Sequence, residues 1–168
     1  NQAEWQTRVV ESLAKHLAKT EVTEDTTDRT ELLVKVWNRL HGMMPDKMLI
    51  DKKGAELLDS YSARLETRLG EGNYRIASQL DHILRTIDVA NTSNSTEEWL
   101  AIPASEWGST VSKKTADHLL FDMRSKVEDQ LAEKNYSHAA MIYEAILQLD
   151  STTKRSITDK WLAIPNLE

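Results

Sequence analysis

The chain contains no cysteine. Disulfides, thiolate metal sites and cysteine nucleophiles are therefore excluded. It has only five glycines and three prolines in 168 residues. An all-β fold uses such residues at its many turns, and disordered chains are usually rich in them, so their scarcity points to helices. No apolar run approaches the ~18 residues that a membrane span needs. There is no excess of positive charge. The net charge is −6, and Lys and Arg are interleaved with Asp and Glu. A surface of that kind repels phosphate backbones.

The usual chemical signatures are also missing. No Gly-x-Gly-x-x-Gly, Walker loop, Gly-x-Ser-x-Gly or His-Glu-x-x-His is present. The five histidines are His16, His41, His82, His118 and His138, and no two of them share a helix face at i, i+3 or i+4. We therefore expect no catalytic residues, no metal, no cofactor and no enzyme activity. The opening "NQAEWQTRVV" is not a signal peptide, and it begins with Asn rather than Met. The chain is expected to be a fragment, a processed product or the ordered part of something longer, located inside the cell, in the cytoplasm first and an organelle as the alternative.

Apolar periodicity is the main positive signal. Trp5, Val9, Leu13 and Leu17, with Val10, recur at helical spacing over 3–19. After a Thr- and acid-rich loop, Asp28 with Glu31 has the form of a capping pair. Leu32, Leu33, Val36, Trp37 and Leu40 then make a second stripe, with Gly42 as its stop. A third helix is expected over about 51–69 and a fourth over about 74–87. A short helix then carries Trp99, Leu100 and Ile102, and Pro103 ends it.

From there the sequence repeats itself. "EEWLAIP" at 97–103 returns as "DKWLAIP" at 159–165. Sliding 55–106 onto 117–168 needs no gap, and sixteen of the 52 pairs are identical. They include Leu57, Leu58, Asn73, Tyr74, Ala77 and all five residues of Trp-Leu-Ala-Ile-Pro. Unrelated segments would share about three. We read an all-α bundle of two tandem helical hairpin repeats offset by 62 residues, plus an N-terminal helix pair. The parts are 1–50 for the N-terminal pair, 51–106 for the first repeat and 113–168 for the second. Together they are expected to form one compact unit.

The signature positions of the repeat are Tyr74 and Tyr136, Trp99 and Trp161, and Pro103 and Pro165. Trp-Leu-Ala-Ile-Pro is read as a plug closing each hairpin, with a partner-binding motif as the alternative. Asn73 and Asn135 are read as helix N-caps. The N-terminal pair is expected to pack on the first repeat. The second repeat would then be less covered around Met141, Ile142 and Ile146, the expected partner or self-association surface.

The stretch "ELLVKVWNRLHGMMPDKMLIDKKGAELLDSYSARLETRLGEGNYRIASQLDHIL", with "STEEWLAI" after it, resembles a known helical domain. That domain is shared by the steroid receptor RNA activator protein and the C-terminal region of a COPII coat subunit. The matching residues are Leu40, the "MMPDKM" connector, Leu57, Leu65, Asn73, Tyr74, Ala77, Leu80 and Trp99. The resemblance implies an interaction or scaffold module with protein partners in a larger assembly, and no cofactor. The alternative reading is an RNA-associated subunit of a ribonucleoprotein. It would use the basic pairs Lys52-Lys53, Lys113-Lys114 and Lys154-Arg155.

Overall fold

The computed structural model describes residues 2–87 and 93–150. These residues form eight helices and no strand. They divide into two compact units, residues 1–95 and 96–168.

The first unit is a four-helix bundle. Its helices are α1 (Gln2–Lys19), α2 (Thr27–Met43), α3 (Met48–Gly70) and α4 (Tyr74–Ile87). The main contacts run α1–α3, α3–α4, α4–α2 and α2–α1, closing a ring. The N-terminal pair thus covers the first hairpin. The core is built from Val10, Leu17, Val34, Trp37, Ile50, Leu57, Tyr61, Leu65, Leu80 and Ile83, all buried.

Several helix ends differ from the sequence reading. Helix α2 runs through Gly42 and stops at Met44, whose ψ of 125° is extended. Pro45 follows, and its ring disfavours the α region for the residue before it. Asp28 does not cap α2 but lies in its first turn. The threonines of the preceding loop hold that entry instead. Thr27 Oγ1 donates to the Thr23 carbonyl at 2.6 Å, and Thr26 Oγ1 accepts from the Thr23 N–H at 2.8 Å.

The second unit takes over within α5 (Ser93–Leu100). It continues through α6 (Ala104–Trp107), α7 (Lys113–Ala132) and α8 (Tyr136–Leu149). Helices α7 and α8 form an antiparallel hairpin, and α6 packs on α8.

The two hairpins correspond bond by bond at their turns. After α3, the Gly72 N–H bonds the Leu69 carbonyl at 3.1 Å, and the Asn73 N–H bonds Arg68 at 2.9 Å. After α7, Lys134 to Leu131 and Asn135 to Gln130 repeat both distances. This paired pattern is a Schellman ending, which needs a left-handed residue at its centre. Gly72 (φ 73°) and Lys134 (φ 60°) supply it. Buried positions correspond as well: Leu57 with Leu119, Tyr61 with Met123, Leu65 with Val127, Ala77 with Ala139, and Leu80 with Ile142. Tyr74 and Tyr136 are both half-buried. The third element of the second repeat, with Trp161 and Pro165, lies outside the described residues.

Candidate interaction surfaces

The C-terminus of α1 sits over α3. A helix end leaves carbonyls unpaired, and cations are favoured there by the helix dipole. Tyr61 Oη donates to the Leu17 carbonyl at 2.9 Å. Arg64 donates to Ala18 and Thr20, and its guanidinium lies 4.8 Å from the Tyr61 ring centroid. Burial pushes the Tyr61 phenol up from its ordinary pKa, and the charge of Arg64 partly offsets that. Beside this cap is a cleft of about 450 Å³, lined in part by Lys19, Glu21, Arg64, Arg68 and Glu71. Its charges answer one another: Arg68 pairs with Glu71 at 3.1 Å and reaches Glu21 at 4.0 Å. The cleft is a by-product of tying α1 to α3.

A second polar group lies on α4 and at its contact with α2. Asp81 and Arg85 are both buried and meet at 2.7 Å. His82 lies 3.3 Å from Glu31, which also pairs with Lys35 at 3.4 Å. Asn38 Nδ2 donates to the Thr86 carbonyl at 2.8 Å. The Asp81–Arg85 pair lies within α4, and the His82–Glu31 and Asn38–Thr86 contacts are the ones that cross to α2. Among the described residues no group of three or more His, Asp or Glu could hold a metal ion.

In the second unit the first Trp-Leu-Ala-Ile-Pro is divided between core and surface. Trp99 and Leu100 are buried, Ile102 is half-buried, and Ala101 and Pro103 are exposed. Trp99 does not act alone as a plug. Its ring centroid lies 5.2 Å from that of Trp107, which is equally buried. Trp107 Nε1 donates to the Ile102 carbonyl at 3.0 Å, which ties α6 back onto the motif. Pro103 starts α6 rather than merely ending α5. Thr96 Oγ1 donates to Asp122 at 2.8 Å, and Lys126 pairs with Glu97 at 2.9 Å, fixing α5 on α7. Gly108 allows α6 to approach α8. A Cβ there would lie 2.9 Å from the Ala104 carbonyl and 3.0 Å from Gln148 Cβ.

The surface expected around Met141, Ile142 and Ile146 needs correcting. Ile142 and Ile146 are fully buried and face α7, while Met141 alone is exposed. Helix α8 reads "YSHAAMIYEAILQL" and is apolar on nearly every side, so its sequence does not mark which face points inward. The equivalence of Ile142 with the buried Leu80 does mark it. Met141 lines a shallow groove of about 260 Å³ together with Leu100 to Ser105 and Glu144.

Asn135 does not use its side chain as a cap; its Nδ2 bonds Gln130 at 2.9 Å. Asn73 Oδ1 accepts a long bond, 3.4 Å, from the Ile76 N–H. Lys52-Lys53 and Lys113-Lys114 begin α3 and α7 in different units, and Lys154-Arg155 lies outside the described residues.

The largest departure from the sequence reading is on α2. Its inward face carries Thr27, Thr30, Val34 and Trp37. Its outward face carries Leu32, 62% exposed, Val36, 49%, and Met43, 68%, with Leu33 and Leu40 half-buried at its edge. The side carrying Leu32, Val36 and Met43 therefore faces water. The Thr-Thr-Val-Trp stripe is the buried side, and Leu32 is turned away from it. Trp107 and this outward face are what the sequence reading missed. Both have a signal: a second Trp eight residues after the first, and a helix with apolar residues on two faces.

No family model, curated protein or solved structure matches the chain. Among the described residues no helix is long and apolar enough to cross a membrane.

Proposed function

We propose that the chain is a non-enzymatic interaction module, a scaffold or adaptor piece of a larger assembly acting in the cytoplasm. The observation that supports this most directly is the outward face of α2. Single exposed apolar residues are ordinary on a protein surface, but a contiguous stripe marks an interaction site. Leu32, Val36 and Met43 lie along one side of α2 over three turns, with Arg39 among them, on a helix whose other side is already packed. The resemblance to a domain of coat and RNA-activator proteins favours the same class. The buried polar groups Asp81 and Arg85 of the first unit are paired with one another, as a structural role would have them.

A photo-crosslinking amino acid at Val36 tests the reading, with Asp59 on the exposed side of α3 as control. The expected result in cells is a discrete adduct from Val36, absent from Asp59 and lost with Met43→Glu. Equal patterns from the two positions would overturn the reading. So would tight RNA binding with a steep salt dependence, which would favour the ribonucleoprotein alternative.

A further inference from the structure

The face of α2 also carries charge. Arg29, Leu32, Val36, Arg39 and Met43 succeed one another at spacings of three and four, so they lie along one line of the helix. All five are exposed. Neither Arg29 nor Arg39 has an ion-pair or hydrogen-bond partner among the described residues. The nearby cations are otherwise engaged: Lys35 pairs with Glu31, and Lys47 donates to the carbonyls of His41 and Met44. In a chain of net charge −6, two unanswered guanidiniums thus bracket Leu32 and Val36, with Met43 one turn beyond Arg39. Ten residues of helix separate them by about 15 Å.

We propose that this stripe is the docking site for an acidic amphipathic helix of another protein. The proposal rests on the interaction-module reading above and names the chemistry of its partner. Such a helix places leucines on Leu32, Val36 and Met43 and carboxylates on Arg29 and Arg39. On a helix, residues about eleven apart return to the same face, roughly matching the guanidinium spacing. Arg suits this role because its planar fork takes a carboxylate in two parallel bonds. The length of the stripe, about three turns, is that of a helix-in-groove ligand.

Two other occupants fit less well. A second copy pairing through the same stripe would bring together two arginines from each chain. Asp25 and Asp28, near the start of α2, are not engaged in ion pairs among the described residues but lie at one end of the stripe, and Glu31 is turned toward Lys35 and His82. An anionic membrane attracts basic surfaces, and the overall charge of −6 opposes that approach.

The test uses the whole chain and two synthetic helical peptides with the same leucines. One carries glutamates at the flanking positions and the other carries lysines. Binding is read by fluorescence anisotropy at low salt. The acidic peptide is expected to bind about tenfold tighter than the basic one, the scale of two exposed ion pairs. Arg29→Glu with Arg39→Glu should reverse that order. Both arginines are on the surface, so the double variant keeps the fold, which circular dichroism checks. Val36→Glu should abolish binding of either peptide. If both peptides bind alike, or the double variant leaves the order unchanged, the acidic-helix assignment fails. Loss of that binding with Val36→Glu would in that case leave the interaction surface itself standing. If neither peptide binds, the acidic-helix assignment also fails, and the crosslink from Val36 then decides the broader reading separately. A dimer in sedimentation that Val36→Glu dissolves, or vesicle binding that Val36→Glu removes, would likewise overturn the proposal.

Discussion

The indole rings of Trp99 and Trp107 lie 5.2 Å apart, inclined at 59°, and neither is accessible to solvent. A tilted approach suits the aromatic quadrupole and adds to what burial alone contributes. The pair is the centre of the small second unit, and it joins the repeated motif to a helix that the repeat does not mark. Trp99→Ala or Trp107→Ala is expected to cost about 3–5 kcal/mol each. The double variant should fall short of the sum by about 0.5–1.5 kcal/mol. Trp107→Phe keeps the ring but loses the bond to the Ile102 carbonyl, at a cost of about 1 kcal/mol. Urea unfolding followed by near-ultraviolet circular dichroism measures all four.

Met141 and Ile142 are neighbours in sequence and opposite in environment. Met141→Glu should leave stability within about 0.5 kcal/mol of the parent. Ile142→Glu places a carboxylate between α7 and α8 with no partner, and should unfold the second unit. Thermal melting of the two variants checks this. A stable Ile142→Glu protein would return that residue to the surface.

The equivalent turn residues Gly72 and Lys134 make opposite predictions. Both occupy left-handed backbone, which glycine adopts without a steric penalty. Gly72→Ala should destabilise by about 1 kcal/mol, and Lys134→Gly should stabilise by a similar amount. Open space around Gly72 means that the cost is conformational and not a clash. Denaturation midpoints at constant slope report the change directly.

Tyr61 links stability to alkaline pH. Its phenol is neutral when buried and its pKa in the folded protein is raised, with burial as the main cause. The folded state therefore holds the proton more tightly than the unfolded chain. This contribution is fully present below the unfolded value of about 10 and is lost as pH rises through the folded one. Tyr61→Phe should cost about 1 kcal/mol at neutral pH, because the bond to Leu17 is gone. Its stability should then fall less steeply above about pH 10 than that of the parent. Parallel unfolding curves for the two proteins, taken across that range, isolate the residue.

Much of the fold was legible from residue order alone. The scarcity of glycine and proline, the helical spacing and the 62-residue offset were enough for an all-α chain with matching helices at 74–87 and 136–149, each following a longer helix. Local chemistry explains why. A Schellman turn is written into a few consecutive residues, and a tyrosine following it starts the next helix in either hairpin. The tertiary structure decided which side of each helix faces inward wherever the sequence offered two. On α8 nearly every side is apolar, so only packing against α7 selects Ile142 over Met141. On α2 the side carrying Thr30, Val34 and Trp37 is buried instead, and α4 meets α2 through His82–Glu31 and Asn38–Thr86. Periodicity reports that a helix has an apolar face. The shape and charge of the neighbouring helix determine which face is buried and which remains free for a partner.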